Sequence, residues 1–305
     1  MKTYLLGGGL LALCLTHPTQ AQGLVDGFLR GKGRTTVALT YAHEAFDTYY
    51  VGTVPMQNPN LGTITTRSVN LYAAYGLTKS IDVAASLPFI DARSSGSTWP
   101  DQRGLQDASV AVKGRLLTAT LGPVTLDGLV SGGLSLPVSK YIIDAPIAIG
   151  HGSTNLDGRA ILHLKLGGFF LTGQYGYTRR SAVTLDKVRN FYAPDFAPQD
   201  INSHRVNVPD VTDLIVRGGF GGTRFYVDGW VQRQAPYQGR GTDLIWNGNV
   251  PFPTNAIAFT RAGANAFVPL RPLEGLGITA GFSTTLNGRN VGKATRFSGG
   301  LVYNF

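Results

Sequence analysis

The chain ends on the run TRFSGGLVYNF, residues 295–305, and the pattern of this run decides the fold. Its odd positions carry the large apolar side chains of Phe297, Leu301, Tyr303 and Phe305. Its even positions carry polar residues or glycine, with Val302 as the exception. Side chains two residues apart share one face of a β-strand, so the run predicts a strand with an apolar face and a polar face.

The N-terminus has the layout of a secretory signal peptide. Lys2 supplies a short positive region, residues 4–15 form an apolar stretch, and the small residues ending at Ala21 offer a cleavage site. We therefore predict that residues 1–21 are a signal peptide. Cys14 is the only cysteine and would leave with it, so disulfides and thiolate metal sites are not expected.

Composition argues against a helical membrane protein and against a nucleic-acid-binding protein. The mean hydropathy is +0.03, and beyond residue 21 no apolar run reaches the roughly 18 residues that a membrane-spanning helix needs. The 40 glycines disfavour helices and suit a closed sheet with tight turns. The formal net charge is +9, but the charges are scattered singly, so anionic lipid or anionic solutes are the expected partners.

Period-two alternation recurs along the chain and predicts about twelve strands. They cover residues 35–44, 65–75, 81–89, 108–117, 124–137, 155–166, 169–179, 211–218, 224–233, 257–268, 276–285 and 295–305. Short and long connections alternate strictly, which in an up-and-down barrel puts short turns at the periplasmic rim and long loops outside. We predict an all-β fold, a transmembrane up-and-down antiparallel β-barrel over residues 35–305, in the bacterial outer membrane. Residues 22–34 form a leading segment that either enters the lumen or stays in the periplasm.

One hairpin tests the predicted lipid-facing side. A two-residue turn at Gly167-Gly168 would pair Leu166 with Phe169, and the alternation independently assigns both side chains to the lipid face. A slip of one residue would break this agreement. The alternative fold is a soluble β-sandwich with this apolar face as its core, but a sandwich has no reason to sort its loops by length.

About ninety residues in the first half of the chain resemble a known family. The matching motifs are YGLTKSIDV (75–83), SLP (86–88), GLQD (104–107), VKGRLL (112–117), GLSLP (133–137) and the stretch 150–157. They are similar to the hairpin and strand patterns of the outer-membrane barrels labelled after the meta-pathway of phenol degradation, often called transporter-like. Gln106 stands where the family has glycine, and Gly114 stands where it usually has an aromatic residue. The resemblance implies a Gram-negative outer-membrane protein that passes small molecules, aromatic ones among them.

The alternation also points charged and aromatic side chains into the lumen. The predicted pore-lining residues are Lys113, Arg115, Arg159, Arg217, Arg261, Arg296, Asp82, Asp127, Asp228, Tyr226 and Trp230. Hairpin geometry places Arg115 near Asp127. It places Arg217 near Asp228 in the same way. These charges can form ion pairs that fill a narrow lumen, or a constriction that sorts solutes by sign, and both can hold at once.

Three arginines have no predicted partner and are the candidates for contact with an anion: Arg159, Arg261 and Arg296. Guanidinium suits this role because it grips carboxylates bidentately and keeps its charge. Tyr226 and Trp230 are predicted to stack an aromatic solute or only to fill space. A barrel of about twelve strands lies between the small barrels that fill with side chains and the large ones that leave an open channel, so we expect a narrow lumen.

The predicted function is an outer-membrane pore or transporter for small solutes, with aromatic or anionic solutes as candidates. The alternatives are an outer-membrane lipid hydrolase and a surface adhesin or receptor with no transport role. No serine and histidine form a recognisable motif, and no histidine pair has a metal-binding spacing, so no enzyme activity, cofactor or metal site is expected.

The expected partners are outer-membrane lipid, a small-molecule solute and the barrel-assembly machinery, with no nucleic acid. We expect the assembly machinery to recognise the C-terminal strand. This strand has one apolar face and ends on the aromatic residue Phe305, and it resembles the assembly signal of outer-membrane barrels.

Overall fold

A computed structural model of the protein describes residues 26–57, 59–96, 100–145, 147–189, 203–243, 251–271 and 273–305. The predicted signal peptide lies outside these residues. The described chain forms the strands β1 (Thr35–Phe46), β2 (Thr48–Val51), β3 (Val54–Gln57), β4 (Ile64–Gly76), β5 (Ile81–Ser94), β6 (Gln102–Leu105), β7 (Asp107–Leu121), β8 (Val124–Pro137), β9 (Asn155–Leu166), β10 (Phe169–Arg180), β11 (Val183–Arg189), β12 (Ser203–Val206), β13 (Val211–Gly221), β14 (Tyr226–Pro236), β15 (Ala258–Pro269), β16 (Leu276–Arg289) and β17 (Thr295–Asn304). Short 3-10 helices cover Tyr237–Gly239 and Phe252–Thr254, and no helix in the described ranges is long and apolar enough to cross a membrane.

Twelve of these strands close into one antiparallel barrel within the described part of the chain. The order around the barrel is β1, β4, β5, β7, β8, β9, β10, β13, β14, β15, β16 and β17. The first and last strands complete the ring, with Thr36 opposite Asn304 and Ala45 opposite Thr295. The short β6 pairs with the outer end of β5, and the pairs β2–β3 and β11–β12 are small hairpins inside long loops.

The structure confirms the predicted fold class. All twelve predicted strands are present, and β8 and β9 have the predicted ends. Several other strands run further, as β5 does, since the alternation predicts residues 81–89 and the strand ends at Ser94. The additional residues of β5 lie at the long-loop end, where β4 and β5 remain paired up to Ile64 opposite Ser94, whereas β7 and β13 gain residues at their short turns. The alternation therefore locates each strand but not its exact ends.

The outer surface of the barrel is an apolar belt. Leu166 and Phe169 stand opposite each other as predicted and are 50% and 64% exposed, and Phe297 is 59% exposed. Residues at the alternate positions of the strands point inward and are buried, for example Ala38 on β1 and Val302 on β17. In a closed barrel the backbone N–H and C=O groups of every strand edge are hydrogen-bonded, and an apolar outer surface can contact the hydrocarbon core of a bilayer. The protein is therefore a β-barrel of the bacterial outer membrane.

Candidate functional site

The N-terminal plug, which we define as residues 26–34, enters the barrel at the end that carries the short turns, with residues 26–30 inside and residues 32–34 exposed at the rim. Gly33 donates its backbone N–H to the carbonyl of Gly76, at the β4–β5 turn, over 2.8 Å. Arg30 donates its backbone N–H to the Asp82 carboxylate, near the start of β5, over 2.9 Å. Of the two positions that the sequence leaves open for the leading segment, residues 26–30 take the lumenal one. The plug thus narrows the periplasmic half of the lumen.

A buried charge network holds the plug to the wall. The Lys113 ammonium donates to the Asp26 carboxylate over 2.6 Å, to the Asp26 carbonyl over 3.1 Å and to the carbonyl of Phe28. Arg30 donates to the same carboxylate over 3.0 Å, and Asp82 lies 3.9 Å from the Lys113 ammonium. All four charged side chains are buried, so the loss of one partner leaves an uncompensated charge in a dry place.

An aromatic pocket in the barrel wall holds the plug on its other side. The Phe28 ring packs edge-on against His163 at 4.5 Å and Phe170 at 5.1 Å between ring centroids, and Tyr226 lies at 6.3 Å. Gly27 makes this close approach possible, because a Cβ at that position would lie 2.5 Å from His163 Nδ1. Tyr226 therefore faces the lumen as predicted, and it packs against the plug there.

An inner cavity of about 390 Å³ lies on the extracellular side of the plug. Its polar and aromatic lining includes Asp157, Arg159, Gln174, Arg217, Trp230 and Gln232. Trp230 thus lies in the lumen, as the alternation predicts. The size falls near the lower end of the roughly 300–1,000 Å³ that small-molecule sites occupy.

The prediction that Arg159 is unpaired is wrong. Its guanidinium donates to both carboxylate oxygens of Asp213, over 2.6 and 2.7 Å, and to both of Asp157, over 2.8 and 3.0 Å. Arg159 and Asp213 stand opposite Gly176 from its two sides, so the pair crosses a strand that carries no side chain at that point. Period-two reasoning on single hairpins does not reveal a contact that spans three strands.

The two ion pairs expected from hairpin geometry are present near the periplasmic end. Arg115 lies 3.7 Å from Asp127, which also binds Lys165 over 2.8 Å. Arg217 lies 3.9 Å from Asp228. These side chains line the inside of the wall and largely neutralise one another.

Asp228 has two further hydrogen-bond partners in the wall. Its carboxylate accepts the hydroxyl hydrogen of Tyr226 over 2.6 Å and an amide hydrogen of Asn265 over 2.9 Å. The carboxylate that faces Arg217 is therefore held in place from several sides, as expected for a buried charge.

A second cavity, the outer vestibule, has a volume of about 290 Å³ and opens at the long-loop end. The loop between β8 and β9 folds inward over it, and Ile147 and Ile149 pack on Ile64 of β4. Gln102 fixes this loop, because its amide accepts the backbone N–H of Ile142 over 2.9 Å and donates to the Ile142 carbonyl over 3.2 Å. The isoleucines make this side of the vestibule apolar, and no sequence pattern predicts Gln102 as the support of the loop.

Arg261 lines the outer vestibule opposite Glu44, and Arg296 stands next to Glu44 in the strand pairing. The Arg261 guanidinium donates to Thr285 over 3.2 Å and lies 4.5 Å from the centre of the Phe259 ring. Among the described residues, neither arginine forms a salt bridge. Two of the three predicted anion-binding candidates thus keep a free charge.

The described part of the lumen offers little support for a histidine-based catalytic site or a metal site. His163 is buried, and its Nδ1 pairs with the Thr172 hydroxyl over 2.7 Å. The described ranges contain no group of three His, Cys, Asp or Glu side chains arranged to hold a metal ion.

The sequence pattern missed the most important lumenal residues, Asp26 and Phe28. They lie in a segment without alternation, so no face could be assigned to them. The one available signal is the four-residue spacing of Asp26 and Arg30, which is common and unspecific.

Comparison with known proteins supports the fold. No protein-family profile and no curated protein sequence matches the chain. The crystal structure of the COG4313 outer membrane channel from Pseudomonas putida F1 is similar, with a TM-score of 0.69 and 15% identity over 93% of this chain and 100% of that chain. Weaker likenesses include the translocator domain of the autotransporter NalP from Neisseria meningitidis (TM-score 0.45, 16% identity, 90% of this chain and 89% of that one). Another is the KdgM porin in complex with disordered oligogalacturonate (TM-score 0.45, 6% identity, 88% and 99%). At these identities the likeness concerns architecture, and the chain is a twelve-stranded outer-membrane β-barrel.

Proposed function

We propose that this protein is an outer-membrane channel for small solutes and that its own N-terminal plug gates it. The observation that carries the proposal is the arrangement of two cavities on the extracellular side of a plug held by buried charges. A barrel that served only as an anchor would have no need for a polar lumen closed by a separable segment. The similar barrel from Pseudomonas putida F1 is described as a channel, which agrees with this role.

The charges along the lumen favour a solute without net charge. Arg261 and Glu44 line the outer vestibule, and Arg296 stands opposite Glu44 in the strand pairing, so positive charges outnumber negative ones at this place. In the inner cavity, Arg159 is paired with Asp157 and Asp213, and Arg217 lies 3.9 Å from Asp228, so the charges there are matched by partners of opposite sign. A cation would be repelled in the vestibule, and an ion of either sign would have to compete with the existing ion pairs in the inner cavity.

Of the solute classes predicted from the sequence, the aromatic one keeps its support and the anionic one loses part of it. Trp230 lines the inner cavity, and one side of the outer vestibule is apolar. Arg159, by contrast, forms ion pairs with two carboxylates and is not free to bind an anion. Membership in the barrels labelled after the phenol meta-pathway is part of this proposal and rests on the short motifs of the first half.

The lumen favours a channel over a lipid hydrolase. His163 faces the plug and pairs with Thr172, away from the lipid that a hydrolase would have to reach. We also propose that the barrel-assembly machinery recognises the last strand, where Phe305 is exposed and its ring lies 5.3 Å from that of Tyr303.

Planar-bilayer recording of the wild-type chain and of a chain lacking residues 22–31 tests the proposal. We expect rare openings from the wild type and discrete, frequent conductance steps from the shortened chain. Folded barrels can be verified for both by their heat-dependent mobility on gels. If the shortened, folded barrel passes no current and swells no liposomes, the protein is not a channel. Lipid turnover without conductance would favour the hydrolase instead.

A further inference from the structure

The inner cavity contains polar groups that the protein itself leaves without a partner. Gln174 is 3% exposed, and its Oε1 accepts no hydrogen bond from any described residue. The indole N–H of Trp230 is buried and has no acceptor within the described chain. Both side chains line the cavity. A buried polar group without a partner costs about 1–3 kcal/mol, so a ligand that satisfied both would be held selectively.

The charged groups of the same cavity are already occupied. Each oxygen of Asp157 and Asp213 accepts a hydrogen bond from Arg159. Gly176 allows this arrangement, because a Cβ there would lie 3.0 Å from the Asp213 carboxylate and 3.1 Å from the Arg159 guanidinium. A charged ligand would have to break these hydrogen-bonded ion pairs.

One side of the cavity is apolar and is formed by Ile215 and the Trp230 ring, whereas serine, threonine, asparagine and glutamine side chains line much of the rest. Ile215 projects into the cavity from β13, between the strands that carry Gln174 and Trp230. The Trp230 ring lies across Gly263, where a Cβ would come within 2.5 Å of the ring. The indole ring can therefore pack directly against the backbone of the neighbouring strand, because Gly263 has no side chain there.

We propose that the inner cavity binds a compact, uncharged solute that carries a hydroxyl group on an apolar or aromatic body. A hydroxyl can donate to Gln174 Oε1 and accept from an N–H such as that of Trp230, which a purely apolar molecule cannot do. Ile215 and the indole ring would contact the body of the solute. The inference rests on the proposed channel function and names the class of solute for which this step of the pathway is selective.

Saturation-transfer NMR on the full chain in lipid nanodiscs tests this selectivity. The probes are benzyl alcohol, benzoate and benzylammonium, which share a ring and differ in charge, and empty nanodiscs correct for partition into lipid. We expect benzyl alcohol to bind at least about tenfold more tightly than either ion. Benzoate or benzylammonium binding as tightly as benzyl alcohol would overturn the inference.

Two variants test the assigned groups. Q174L removes the acceptor, and W230F keeps a ring but removes the N–H, so each should weaken benzyl alcohol binding by about tenfold, the equivalent of one hydrogen bond to a buried group. Q57L, which makes the same replacement on the exposed strand β3, is the matched control and should leave binding unchanged. Unaltered affinity in both Q174L and W230F would overturn the inference.

Conductance of the same preparations separates this inference from the proposed channel function. Conductance steps from the chain lacking residues 22–31, without selective benzyl alcohol binding, would refute the binding site and leave the channel standing. Selective binding lost in Q174L, without any conductance, would refute the channel and leave the site standing.

Discussion

Loss of the Lys113 ammonium should release the N-terminal plug. In the variant K113M, Asp26 loses contacts of 2.6 Å to its carboxylate and 3.1 Å to its carbonyl, and the carbonyl of Phe28 loses its donor as well. Removal of one member of a buried ion pair costs about 3–5 kcal/mol. Arg30 remains bound to Asp26 at 3.0 Å and compensates part of this loss. We therefore expect the closed state to be destabilised by about 2 kcal/mol relative to the open state. That value corresponds to a rise of about 30-fold in the ratio of open to closed channels.

Single-channel recording in planar bilayers measures this ratio directly. The matched control is K165M, because Lys165 also binds a carboxylate inside the wall, Asp127 at 2.8 Å, but Asp127 keeps Arg115 nearby. We expect frequent openings in K113M and wild-type behaviour in K165M. The reasoning is refuted if K113M opens no more often than the wild type while the chain lacking residues 22–31 conducts freely. An equal rise in K165M would show that loss of any lumenal cation has this effect.

Three further predictions follow from other parts of the barrel. The double variant R261Q/R296Q should weaken any preference for anions, measured as the reversal potential across a salt gradient, and an unchanged potential would reject the role of these arginines. G27A should loosen the plug, because its new Cβ would lie 2.5 Å from His163 Nδ1; trypsin should then cleave the plug faster, and equal rates would contradict this packing. L162R should lower the unfolding free energy in lipid vesicles by about 2–4 kcal/mol, because Leu162 is exposed on the lipid face, and urea titrations without a shift would count against that face.

The closed state suggests how a solute could pass. The outer vestibule would first accept it among apolar side chains, and the inner cavity would then hold it next to Trp230. The remaining barrier is the plug, whose two anchors lie on different parts of the wall, Lys113 on β7 and the aromatic pocket around Phe28. In the proposed gate both anchors would have to be released together, so release of one anchor alone would not open the lumen.

Local pairing could be predicted from the sequence to a useful depth. Arg115 and Asp127 belong to one hairpin, so the turn between β7 and β8 brings them together. The partners of Arg159 lie on its own strand and on β13, which the long connection after β10 separates from it in sequence. No turn length specifies the contact between Arg159 and Asp213 on β13. The prediction of an unpaired Arg159 was therefore wrong.

What the sequence alone determined is the barrel and its orientation toward lipid. Period-two alternation, a two-residue turn at Gly167-Gly168 and the sorting of loops by length act between neighbours in the chain, and each can be seen without coordinates. Only the tertiary structure decided what fills the lumen. The plug at residues 26–34 has no periodic pattern, and its position depends on Lys113 and on an aromatic pocket supplied by β9, β10 and β14. Closure of the barrel brings these side chains together, because strands far apart in sequence face one another across a narrow lumen.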